Sequence, residues 1–549
     1  MLSFLHGYLP GVWEAQIKEG LVRQGDGMRV CHNVMLEEPL KFNNLARKDG
    51  ALWNAARELG GPLYIDRLQG GCYIEDYPYD RALLDAYRDM LGDKFWGFQM
   101  HEWFSNYASD LARVKDLPRE AWTAEGIRDY IFKKCPLPYL FLECMTAEEM
   151  AELGYPRDFS GHYRNMTEIY RRRMAKVGDL IPADSAYLAY AFELSVGTKR
   201  IMAEVGAQSR DARIQICYAA GMTKATKRAF GVYYEPWWIT PRTVKAPGEE
   251  PPCTCCSYHR TGANEWGITK GSDFPYESAG RNGGSSRSLQ KRIFLYAYLS
   301  NADFISEEWG LCNCFYDWDT YALSPYGQTK KDFLSFVDKY KDVGKKINPI
   351  AVVLPQELMV LDRVNLPDTY CSWPVHSPQL NELKSKLYSL FSGEEDREGV
   401  AEYRTFIENE VPDALLLLND GFGGLEDYEY LVDLTFDESF AKRHSNLCAV
   451  EDVVPLLRRL LPCYVEGKIH WMVNERKGGG YYLTVMNHAG VLRTLEEGET
   501  TRPEKAKTTK LTFQKGAPPK LLEGAARLTQ ENGEWFLTVE PGDFAFIAF

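Results

Sequence analysis

Seven acidic side chains in the first part of the chain share one pattern: each closes, or sits in a pair that closes, a short apolar run. Asp66 follows Leu63-Tyr64-Ile65, Glu102 follows Phe95–His101, and Glu143 follows Tyr139–Leu142. Glu204 follows Ile201-Met202-Ala203, Glu235 follows Phe230–Tyr234, and Glu307 with Glu308 follows Phe304-Ile305-Ser306. Carboxyl groups brought from several strand ends to one mouth can cleave a glycosidic bond. Its oxocarbenium-like transition state calls for a pair, about 5–5.5 Å apart for retention of configuration or about 6.5–9.5 Å for inversion.

Glu308, between Glu307 and Trp309, is the first candidate for one half of that pair. Strand alternation sends Glu307 and Glu308 to opposite sides, so one of them faces the mouth. A partner acting as general acid/base must keep its proton near neutral pH, which takes an apolar wall or a neighbouring anion. Glu204, which closes an apolar segment before Gly206, and Glu235, inside Tyr233-Tyr234-Glu235-Pro236-Trp237-Trp238, compete for that role. The plainer alternatives are a solvated acidic pair at 307–308 and an exposed helical position for Glu204.

Around these acids stand residues suited to hold a sugar. Asp66, His101, Glu102, Glu143 and Asp317 offer partners for hydroxyls, and Trp103, Trp237, Trp238 and Trp309 offer flat faces for ring C–H groups. A histidine at a strand end is as readily a structural one. Cys253, Cys255, Cys256 and His259 form the best metal candidate, with Cys312 and Cys314 further on. Structural zinc prefers two paired knuckles, and this run supplies one, so free thiols and no metal or other cofactor are expected.

The acids need a scaffold that presents strand ends together. Helical runs near 79–91, 124–134, 162–177, 209–227 and 285–302 alternate with the apolar runs, and 179–183 offers a further strand. Alternation of this kind implies a parallel sheet, and six or more units over roughly 300 residues favour a closed (β/α)8 TIM barrel. The barrel is expected over 1–347, with residues 1–60 as an entry segment and the Pro-, Gly- and Cys-rich stretch 239–284 as an active-site loop. Residues 348–464 read as a small α/β domain, flavodoxin- or amidotransferase-like in layout; it has no nucleophile-elbow pattern, so its role is structural. From 465 to 549 the pattern turns to period two, in Lys468–Val473, Tyr481–Met486, Lys510–Phe513, Trp535–Val539 and Phe544–Phe549, the signature of an antiparallel β-sandwich.

Composition narrows the partners. A net charge of −13 without a basic stripe disfavours nucleic acid. No apolar run is long enough to cross a bilayer, and Met1–Gly11 does not read as a signal peptide. Thirteen irregularly spaced cysteines fit reduced thiols in a cytoplasm.

With its strand-end acids and its order of barrel, α/β domain and β-sandwich, the chain resembles the clan A glycoside hydrolases, and in layout the family 42 β-galactosidases. In those families the acid/base ends the fourth barrel strand and the nucleophile the seventh. The resemblance implies Glu308 as nucleophile and Glu204 as acid/base, with retention of configuration, and the leading expectation is a cytoplasmic exo-glycosidase acting on imported oligosaccharides. It also implies a homo-oligomer. One local motif departs from the pattern: Ala203 precedes Glu204 where the family has asparagine. A non-catalytic carbohydrate-binding or scaffold protein and a metal-dependent barrel hydrolase are the competing expectations.

Overall fold

The computed structural model of the chain describes residues 2–30, 41–66, 77–134, 145–184, 188–206, 212–235, 285–308, 314–315, 320–361, 369–370, 373–374, 377–392, 409–494 and 498–549. The expected strand ending at Glu143 lies outside them, as do Trp237, Trp238, Trp309, Asp317 and the cluster Cys253, Cys255, Cys256 and His259.

Eight parallel strands close into a barrel: β1 (Ser3–Tyr8), β2 (Gly27–Val30), β3 (Leu63–Ile65), β4 (Phe95–His101), β5 (Leu180–Asp184), β6 (Arg200–Gly206), β7 (Ala229–Glu235) and β8 (Phe304–Glu307). Pairing of Ser3 with Phe304 joins β1 to β8 and completes the ring. Both faces of the strands are covered, which is why most read as unbroken apolar runs. Inward-facing Leu5, Tyr64, Ile181, Met202, Tyr233 and Phe304 fill the barrel. Gly231 makes room for this filling, since a Cβ there would sit 2.2 Å from the Phe304 ring.

Residues 1–60 are therefore not an entry segment; they carry the first two barrel strands. Their apolar signature is masked by buried polar residues. His6 on β1 bonds Asp26 at 2.9 Å, and Arg29 on β2 is fully buried. The count of strands shifts accordingly. Glu204 stands on the sixth strand and Glu308 follows the eighth, where the resemblance had implied the fourth and seventh. The run near 179–183 is a strand, β5, which extends through Asp184, and the next helix begins at Tyr190.

Beyond the barrel, Leu415–Asn419, Ile350–Leu354, Tyr430–Asp433 and Leu447–Cys448 form a four-stranded sheet in that order, all parallel. It lies against the barrel helix Ala212–Thr226, closely enough that a Cβ on Gly221 would meet the Leu417 carbonyl at 2.2 Å. Two antiparallel sheets of four and five strands follow. Lys345-Lys346, at the barrel's exit, pairs with Glu475 and Asn474 in the five-stranded sheet. Among the described residues no helix is long and apolar enough to cross a membrane.

A buried charge cluster ties these parts together. Asp413, just before the parallel sheet, meets Lys346 Nζ at 2.9 Å, His470 Nε2 at 3.1 Å and Cys217 Sγ of the barrel helix at 3.2 Å. Burial alone would raise its pKa, but Lys346, His470 and Arg213 together hold the carboxyl well below the usual range.

Candidate active site

The mouth at the C-terminal ends of β4, β6, β7 and β8 gathers four of the expected acids, three of them about one imidazole. Register fixes their heights: Glu204 lies beside Tyr233, and Gly206 beside Glu235, across the β6–β7 ladder. The Glu308 amide donates to the Tyr234 carbonyl at 2.8 Å, extending the β7–β8 pairing by one residue. At the end of β4 the Glu102 amide donates to the Ala183 carbonyl at 2.6 Å. Glu102 then takes a left-handed backbone with φ of 42°, turning the chain into the helix Trp103–Val114. A non-glycine residue held there is the kind of local strain that functional sites retain.

His101 links the acids. Its Nε2 lies 3.4 Å from Glu308 and 3.8 Å from Glu102, and its Nδ1 lies 3.8 Å from Glu204. One oxygen each from Glu204, Glu235 and Glu308 fall within 4.8 Å of one another. Exposure sorts them: Glu204 and Glu235 are fully buried, Glu308 is 6% exposed, and the Glu102 side chain is 20% exposed. Burial raises the Glu204 pKa well above the carboxyl range, and the charges of Glu235, Glu102 and Glu308 push it further. Oxygens this close could bridge a hard cation, but acidic clusters reach the same spacing when protons offset their charge, so spacing alone assigns no metal.

The remaining candidates separate clearly. Glu307 points away from the mouth, as alternation requires, and pairs with buried Lys330 at 2.7 Å. Asp66 accepts from Arg29 at 3.1 Å, and Arg29 also donates to the Tyr233 hydroxyl at 2.8 Å, so Asp66 braces the floor of the site. Trp103 is buried in an aromatic cluster, stacked on Tyr107 with ring centroids 5.2 Å apart, and offers no face to a sugar. Arg29 and Tyr233 were missed by the sequence reading. The signal for Arg29 was there: a lone arginine inside the short apolar run Gly27–Val30.

No family model matches the chain, and no curated protein matches it in sequence. Among solved structures it is similar to a β-galactosidase from the psychrophilic Marinomonas ef1, with 10% identity, all of both chains covered and a TM-score of 0.37. A β-galactosidase from the Antarctic haloarchaeon Halorubrum lacusprofundi gives 11% identity and a TM-score of 0.38 over 100% of this chain and 99% of that one. An exo-β-1,4-mannosidase from Opitutaceae bacterium strain TAV5 gives 8% identity and a TM-score of 0.34 over 99% and 92%.

Proposed function

We propose that the chain is a retaining glycoside hydrolase working at this barrel mouth. The observation that carries the reading is the gathering of Glu102, Glu204 and Glu308 about His101, with Glu235 beside Glu204 and Glu308, at the strand ends, where a barrel keeps its chemistry. Glycoside cleavage with retention needs one acid that exchanges protons with water and one carboxylate held against the anomeric carbon. Glu102 suits the first role, being the most exposed of the four. Glu235 suits the second: it ends the seventh strand, and Glu102 follows the fourth, so the resemblance's strand rule selects this pair once β1 and β2 are counted.

In this reading Glu235 attacks the anomeric carbon while Glu102 gives its proton to the departing oxygen. Glu102 then takes a proton from water as that water displaces Glu235. Glu308 and His101 are left to hold sugar hydroxyls. The substrates are oligosaccharides or simple glycosides, and β-galactosides and β-mannosides head the panel to be assayed. The competing pair, Glu308 with Glu204, is favoured by their shared contact with His101 and close oxygens.

Leaving-group dependence tests the choice. Glu102→Gln should lose about 10²–10⁴-fold on glycosides with poor leaving groups and far less on activated aryl glycosides, which need no protonation. Equal loss on both would reject Glu102 as the acid. No hydrolysis by the wild type across a broad panel would favour a binding protein.

A further inference from the structure

A two-carboxylate mechanism leaves one fully buried acid without a task. Glu204 sits beneath the mouth with no exposed surface, and neither of its oxygens meets an N–H donor within hydrogen-bond distance among the described residues. His101 Nδ1, at 3.8 Å, is too far to bond it. Its oxygen lies within 4.8 Å of one on Glu235, itself fully buried. Two carboxylates in such a place do not both ionise. The groups facing Glu204 are Glu235 on β7, Glu308 after β8, His101 and Glu102 at the end of β4, and Tyr190 at the start of the helix Tyr190–Ser195. Most of these are acidic, so a proton is the natural occupant.

We infer that Glu204 keeps a proton and donates it in a hydrogen bond to the Glu235 carboxylate, acting as a positioning residue that orients and tempers the nucleophile without touching the sugar. The part played by Glu235 rests on the glycosidase reading; the shared proton does not. The bond gives a buried carboxylate a charge-assisted donor. It also keeps one negative charge, not two, beneath the developing oxocarbenium ion.

Conservative and non-conservative variants separate this role from general acid catalysis. Glu204→Gln keeps a donor toward Glu235 and should lower kcat by no more than about tenfold, whereas a general acid replaced by an amide loses about 10²–10⁴-fold. Glu204→Leu removes the donor and should lower kcat by about 10²-fold with KM nearly unchanged, the pattern of an interaction made at the reacting centre. Infrared difference spectra at neutral pH should show a protonated-carboxyl band in the wild type that disappears in Glu204→Gln and shifts in Glu235→Gln. If Glu204→Gln is as inactive as Glu235→Gln, or the band is missing, the inference fails. A stoichiometric divalent ion in the purified protein, lost with Glu204→Gln, would also overturn it. If the wild type hydrolyses no glycoside, the reaction is refuted, and the infrared comparison alone decides the proton.

Discussion

Burial of Glu204 has a consequence for stability as well as for chemistry. Its folded pKa lies above the unfolded value, so its contribution is fully present below about pH 4.3 and is lost as pH rises toward the folded pKa. Thermal unfolding of Glu204→Gln should therefore gain on the wild type as pH rises above that point. Identical pH dependence in the two proteins would mean that Glu204 ionises normally. The acids themselves were legible in the sequence, because each closes an apolar run and strand ends are where a barrel presents carboxylates. Their pairing was not legible. Whether Glu204 meets Glu235 or Glu308 depends on register and strand count, and His101 Nδ1 and Nε2 face different acids through a ring orientation that sequence does not carry.

At the level of elements, the site depends on strands whose polar residues are satisfied behind it. Glu307 and Lys330 form such a pair, joining β8 to the helix Pro325–Lys339 with both side chains almost wholly buried. Lys330→Met would strand a buried carboxylate and should destabilise the protein by about 3–5 kcal/mol in chemical denaturation. The double change Lys330→Met with Glu307→Leu should recover much of that loss. A single variant as stable as the wild type would show that water reaches Glu307. Most of the strands from β3 onward could be read from apolar runs, but β1 and β2 could not. The polar residues His6 and Arg29 interrupt them, each offset by a partner, Asp26 or Asp66, that only the folded barrel brings within reach. Leaving β1 and β2 uncounted placed Glu204 on the fourth strand instead of the sixth.

Across the whole molecule, the Asp413 cluster connects barrel, parallel sheet and C-terminal sheet through Arg213, Lys346 and His470. The folded pKa of Asp413 is depressed, so its stabilisation is present above the unfolded value of about 3.9 and is lost as pH falls through the folded pKa. Asp413→Asn should cost about 3–5 kcal/mol at neutral pH by stranding buried cations, with a smaller cost at strongly acid pH. A cost independent of pH would place its origin in packing. The order of barrel, parallel sheet and antiparallel sheets was readable from the change of period along the chain. The joints were not, because a lone Asp413 or Lys346 has no local pattern that marks it as a partner of residues far away in sequence.

In the proposed mechanism Glu235 forms a covalent bond to sugar. This step is tested most directly by trapping the wild type with the 2-deoxy-2-fluoro analogue of whichever aryl glycoside it cleaves, followed by peptide mapping. The expected result is one glycosyl group per chain on the peptide carrying Glu235. Label on Glu308, or slow turnover with inverted product and no label, would contradict it.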